Sequence, residues 1–324
     1  MKKEKYFLPT GERRFDFKIA IITGACRSGK TLIGRLLGSL ENVEYMDEPW
    51  LPTVLPMLQG NNLIDPKISK DIFRSYIEEF MNDVILLRQA NFRPQDQSSI
   101  WDRKDISEIF DRLVKLHSRD DVRKYIKRAN PTLLLNLPEI MPFLPFLTET
   151  FPGCKVIHIV RNGLDVALEV RKKKWFTNKL LKQPFSNYYL FRKYYSKKYL
   201  GNYYMPYWIK DNEDGKFLNM TDFAKGLYYW RRIVEASGKP IKKFKTDFLD
   251  EYREVRFESI IESPTIAFDE LSTFLNVSVS KKTETILSSI KKLKPIRKYP
   301  VNEISKDERN KTNKLLSKLK YPTF

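Results

Sequence analysis

The chain of 324 residues carries 59 lysines and arginines against 40 acids, a net charge of +19, and such an excess favours polyanionic partners: nucleic acid, anionic lipid surfaces, or acidic small molecules and glycans. Hydrophobic residues at 42% and aromatics at 13% exclude a disordered chain, and no apolar run nears the roughly 20 residues of a membrane span. Cys26 and Cys154, with two histidines, are too few for a typical structural zinc site. The N-terminal "MKKEKYFLPTGERRFDFK" lacks the apolar core of a secretory signal, so a reducing, cytoplasmic setting is expected.

In chain order, "FKIAIIT" (17–23) is a short β-branched run that ends at Gly24, and "KTLIGRLLGSL" (30–40) has helical apolar spacing. The result is strand, glycine turn, helix. A second strand, "VEYM", leads into "DEPW" (47–50), where Pro49 ends regular structure; helices then dominate from about 69 to 128, broken near "NFRPQDQSS". "TLLLN" (132–136) and "CKVIHIV" (154–160) read as buried strands, with "PEIMPFLPFLTETF" between them as a proline-bounded helix. "YREVRFE" (252–258) is another strand, "SPTIAFDELSTFL" a helix with a Ser263-Pro264 start, and "KDERNKTNKLLSKLK" a polar, solvated terminal helix. Strands alternating with helices predict a three-layer α/β/α domain with a central, mostly parallel sheet of the P-loop-containing nucleotide-hydrolase-like kind. One domain is expected over residues 1–324, with 187–211, "NYYLFRKYYSKKYLGNYYMPYWIKD", as an aromatic and basic helical insertion on the acceptor side.

Between the first strand and helix stands "GACRSGKT" (24–31), which fills every fixed position of G-x-x-x-x-G-K-[ST]. Such a turn aims several backbone N–H groups and a helix dipole at one point, and phosphate oxygens satisfy them. A nucleoside triphosphatase also needs an aspartate ending an apolar strand to hold magnesium. "VIHIV" ends instead in Arg161, which suits another phosphate.

At these residues the chain resembles a family. Arg27-Ser28-Gly29 with Thr31 is similar to the R-S-G-T-T loop of sulfotransferases, "KVIHIVRNGLDVALEV" (155–170) to their strand with a terminal arginine, and "VRFESIIESPTIAFDELSTFLNV" (255–277) to their R-[YF]-E-x-[LI]-x-x-x-P segment and following helix. The resemblance implies that Arg27, Ser28, Gly29, Lys30, Thr31 and Leu32 grip the 5′-phosphosulfate of 3′-phosphoadenosine 5′-phosphosulfate (PAPS), and that Arg161 binds its 3′-phosphate. Arg297 and Lys298 resemble the basic segment that closes over the donor. Departures are Lys30 in place of threonine, Asn136 in "NLP" where many relatives have K-x-P, and Glu169 in place of a serine that binds the 3′-phosphate. Glu169 is expected to turn away or to pair with Arg171 or Lys172.

Sulfuryl transfer builds charge on the bridging oxygen. Arg27, Lys30 and the loop amides are suited to stabilise it, without an obligatory metal. Glu48, before proline and beyond the second strand, is the expected base, and Asp47 is the neighbour from which it must be distinguished. His158, His117 and Trp230 are read as structural, and Glu258 as fixing its own segment's backbone. The acceptor is expected to bear a hydroxyl and to be carbohydrate-like, with glycan, lipid-linked and phenolic molecules, and peripheral membrane contact, left open; nucleic acid is not the expected partner. The rivals are a small-molecule kinase using ATP and magnesium, and a non-catalytic polyanion-binding protein on a degenerate sulfotransferase fold.

Overall fold

A computed structural model describes residues 16–96, 98–182, 196–290 and 298–324. Four strands follow the apolar runs closely: β1 (Lys18–Thr23), β2 (Val43–Asp47), β3 (Thr132–Asn136) and β4 (Lys155–Val160). After a separate hairpin, β5 (Ser196–Leu200) and β6 (Tyr203–Pro206), comes β7 (Tyr252–Arg256). The main sheet has the order β2-β3-β1-β4-β7, and each pairing is parallel. The chain leaves β1 toward one edge of the sheet and leaves β3 toward the other, so a crevice opens above the C-terminal ends of these adjacent strands.

Helices cover both faces, which is why the inner strands read as unbroken apolar runs. On one face α1 (Lys30–Leu37), with the C-terminal helices Phe257–Glu262 and Pro264–Leu275, packs on Ala20, Ile22, Leu134, Ile157 and Ile159. On the other, Ile19, Ile21, Leu133, Leu135 and Val156 meet α2 (Trp50–Gly60), α3 (Pro66–Ile85), α5 (Arg119–Ala129) and α6 (Leu144–Thr150). Each fully buried Ile or Leu contributes about 1.5–3 kcal/mol relative to exposure. Edge strand β2 also carries buried Glu44, tied to Arg112 of α4 (Ile106–Lys115) at 2.6 Å and to Lys104 at 3.2 Å. Burial alone would raise the Glu44 pKa, but these cations draw it down to about 2.

Two further helices shape the site. α7 (Gly163–Lys172) follows β4, and its capping residue Asn162 accepts from the Leu164 N–H at 2.9 Å. The 26-residue helix Asp222–Asp247 packs along it, with Tyr228, Tyr229 and Trp230 all at 1% exposure or less.

Two local expectations are corrected. The described part of the aromatic insertion is not helical: 196–206 form the antiparallel β5-β6 hairpin about Gly201 at φ +55°, because tyrosine-rich runs around a glycine favour strands and a tight turn. Residues 187–195 lie outside the described residues. The terminal helix Lys306–Lys318 is docked, not solvated: Glu308, Thr312 and Leu316, four residues apart, are all 0% exposed. Arg231 grips Glu308 with two bonds, at 2.6 and 2.9 Å; the polar composition concealed a buried ion pair. Among the described residues no helix is long and apolar enough to cross a membrane.

Candidate active site

The turn after β1 is built around two glycines. Gly29 caps α1 at φ +94°, a left-handed geometry that suits glycine, and a Cβ there would stand 2.2 Å from the Phe257 ring. At Gly24 a Cβ would meet the Ile159 carbonyl oxygen at 2.3 Å. The loop is thus pressed against β4 and the Phe257 segment. Arg27, at φ +64°, turns the chain so that α1 presents its first turn, whose N–H groups have no intrahelical partner, above the sheet. Lys30 is 3% exposed and curls back to donate to the Ala25 carbonyl at 2.8 Å. Ser28 is 1% exposed, with its hydroxyl unpartnered. Thr31 and Leu32 are half-buried in the first turn.

Arg161 sits behind this loop. Its guanidinium donates to the Arg27 carbonyl at 2.8 Å and lies over the Phe257 ring at 4.6 Å, while its Nε is buried without a partner. Trp230 is structural as expected, but it acts at the site: its indole N–H donates to the Arg161 carbonyl at 3.2 Å. Glu258 fixes a neighbouring backbone as well, accepting from the Asn162 N–H at 3.0 Å and the Tyr321 hydroxyl at 2.8 Å. The strand-end arginine is therefore held from both sides.

Glu169 pairs with Lys172 at 2.7 Å, as expected, and also with Arg27 at 3.2 Å; Arg171 goes instead to Glu303. Burial would raise the Glu169 pKa, yet its bonds to Lys172 and Arg27 lower it. The carboxylate thereby claims a cation of the phosphate loop, and Arg27 also lies 5.9 Å from the centre of the Trp175 ring.

Three more carboxylates, Asp47, Glu48 and Glu139, interact electrostatically at the site. Asp47, at the end of β2, accepts from the Tyr45 hydroxyl at 2.6 Å and from the Asn136 amide at 2.7 Å. Asn136 thus orients an acid. Glu48, at φ +46°, retains solvent access; surrounding protein nevertheless pushes its pKa up, Lys30 opposes the rise, and Asp47 and Glu139 reinforce it. Glu139, which sequence reasoning missed, is 7% exposed at φ +60°. Its N–H donates to the Gly24 carbonyl at 3.0 Å, and its carboxylate accepts from the Cys26 thiol at 3.0 Å and from the Tyr229 hydroxyl. The one signal in the sequence was an acid directly after the strand-ending "NLP".

The remaining expected residues divide. Arg297 lies outside the described residues. Lys298 is exposed beside Tyr299, whose hydroxyl donates to Asp165 of α7 at 2.7 Å; this tether fixes the end of the basic segment at the helix that follows Arg161. His158 bonds the Tyr252 hydroxyl at 2.8 Å, and His117 is exposed at the start of α5. Taken together, the loop can hold a multiply charged anion, with a carboxylate of raised pKa in the electrostatic field of its lysine.

Among solved structures the chain is similar to the sulfotransferase domain from the curacin biosynthetic pathway, at 14% identity over 96% of this chain and 100% of that one, TM-score 0.47. It is similar also to the sulfotransferase domain of the Synechococcus PCC 7002 olefin synthase, at 16% identity over 99% and 100%, TM-score 0.48. A third likeness is to sulfotransferase STF9 from Mycobacterium avium, at 12% identity over 96% and 79%, TM-score 0.48. No curated protein matches. The sulfotransferase-family model matches residues 20–213, from β1 through the phosphate loop, Arg161 and the hairpin, and the chain belongs to that family.

Proposed function

We propose that this sulfotransferase uses PAPS to sulfate a hydroxyl acceptor of carbohydrate-like character. The observation that carries the reading is the joining of Arg27, Lys30 and Arg161 around one glycine-built loop, with the Glu48 carboxylate in the electrostatic field of Lys30. The residues fit such a ligand: Gly24 and Gly29 let the loop press against β4 and the Phe257 ring so that its turn closes tightly, and the buried, unpartnered polar atoms of Ser28 and Arg161 match additional phosphate oxygens.

Bound there, the donor supplies a sulfuryl group whose bond to a phosphate oxygen breaks with the electron pair remaining on that oxygen. Lys30, the first-turn amides and Arg27, once shared or released by Glu169, stabilise that charge. Glu48 takes the proton of the acceptor hydroxyl as the new oxygen–sulfur bond forms. Arg161 serves the 3′-phosphate, and Lys298, next to the Tyr299–Asp165 tether, adds positive charge on the donor side.

Calorimetric titration with 3′,5′-adenosine bisphosphate and with magnesium ATP tests the donor. The bisphosphate should bind in preference, and Arg161→Ala should weaken it by about 10–100-fold through loss of a charge-assisted hydrogen bond. A preference for magnesium ATP that is indifferent to Arg161 would move the protein to the kinases, and affinity for neither would favour a polyanion-binding protein. Because Glu169 competes for Arg27, Glu169→Ser should tighten bisphosphate binding, by about threefold to tenfold for one released ion pair. An unchanged or weaker affinity would show that the pair does not restrain the loop.

A further inference from the structure

We propose that Glu139 is a positioning residue that sets the shape of the phosphate loop, acting through Tyr229 and Cys26; the consequence for the donor rests on the reading of the loop given above. The contacts form a closed circuit. The Tyr229 hydroxyl donates to the Glu139 carboxylate, and its oxygen accepts from the backbone N–H of Cys26 at 2.7 Å. The Cys26 thiol donates to the same carboxylate at 3.0 Å, and the Glu139 N–H closes onto the Gly24 carbonyl at 3.0 Å. Two parts of the loop, Gly24 and Cys26, are thus fixed to one residue in the turn that follows β3.

The carboxylate directs the circuit. A hydroxyl hydrogen rotates to suit its neighbours; with an anion to receive it, the Tyr229 proton is committed, and the oxygen lone pair is left for the Cys26 N–H. That amide is therefore turned into the protein, and the Ser28 N–H is spent on the Ala25 carbonyl at 3.3 Å, which leaves the amides of the first turn of α1 to shape the mouth of the loop. The backbone of Glu139 is held in a left-handed conformation at φ +60°, a strain that persists only where the surroundings over-determine it. The Tyr229 ring is itself immobilised, 0% exposed and within 5.1 Å of the Trp208 centroid and 5.2 Å of the Phe176 centroid. The clamp is rigid from the long helix through the acid to the loop.

The thiol reports on this circuit without any turnover. Burial and the Glu139 charge push the Cys26 pKa up, so Glu139→Gln should raise its thiolate fraction and its rate of alkylation by iodoacetamide about tenfold, the effect of one pKa unit. Cys154 is buried, with its thiol pushed up to about 12, so peptide mapping reads Cys26 separately. Tyr229→Phe keeps the ring and removes the hydroxyl. Both variants should weaken 3′,5′-adenosine bisphosphate about tenfold, the worth of one net hydrogen bond, while their double mutant adds little more. Wild-type circular dichroism would establish that the variants fold. Folded variants whose Cys26 alkylation and bisphosphate affinity both match the parent would overturn the proposal. If the parent itself binds no bisphosphate, the donor reading fails, and the alkylation rates alone decide the clamp.

Discussion

Lys30→Met should lower kcat by about 10²–10³-fold, the range found when one preorganised donor is removed from a transition state. The side chain is 3% exposed, and its ammonium is satisfied only in part by the Ala25 carbonyl at 2.8 Å. Burying a charge in this way disfavours the resting protein, yet it stores a cation that needs no reorganisation when charge develops nearby. Methionine fills similar volume without the ammonium, so α1 should still form and the melting temperature should hold or rise. The acceptor KM should change little, because Lys30 is expected to serve the donor side. A kcat within threefold of the parent in a folded variant would remove Lys30 from the transfer step.

Much of this arrangement was legible in the sequence because it depends on local pattern. The runs "FKIAIIT", "TLLLN" and "CKVIHIV" became β1, β3 and β4 with ends displaced by at most a residue, since strands buried on both faces carry a continuous apolar signal. The loop was equally plain: Gly24 and Gly29 are required by contacts with Ile159 and Phe257. What could not be read is contact between distant segments. Glu139 reaches Tyr229 and Cys26 across 90 and 113 residues, and no periodicity encodes that meeting. The same holds for Glu169 reaching Arg27, and for Glu308 meeting Arg231, where charged residues that looked solvated found buried partners.

The two sides of the site divide the electrostatic work. Arg27, Lys30 and Arg161 supply fixed positive charge around the loop, whereas Asp47, Glu48 and Glu139 gather negative charge beside it. Asp47 is oriented by neutral donors, Tyr45 and Asn136, so it keeps its position whatever its charge does to neighbours. Glu48 has the raised pKa and the access that proton transfer requires. The assignment of base between these two adjacent acids therefore becomes a question that pH can answer.

Glu48→Gln should reduce kcat by about 10²–10⁴-fold, the usual contribution of a general base. The pH profile carries the sharper test. A base works only when ionised, and desolvation by the surrounding protein, with the charges of Asp47 and Glu139, raises the Glu48 pKa above that of an ordinary glutamate against the pull of Lys30. The parent's rate should therefore fall with acid at a pH above the ordinary carboxylate range, and that acidic limb should vanish in Glu48→Gln. Asp47→Asn separates the neighbours: it removes one negative charge beside Glu48, which lowers the Glu48 pKa and shifts the limb to lower pH, with most of the activity retained at neutral pH. If Asp47 were the base, Asp47→Asn would instead abolish the limb together with the activity. Glu48→Gln would then keep both the acidic limb and most of the activity. The two variants thus exchange their profiles according to which carboxylate receives the proton.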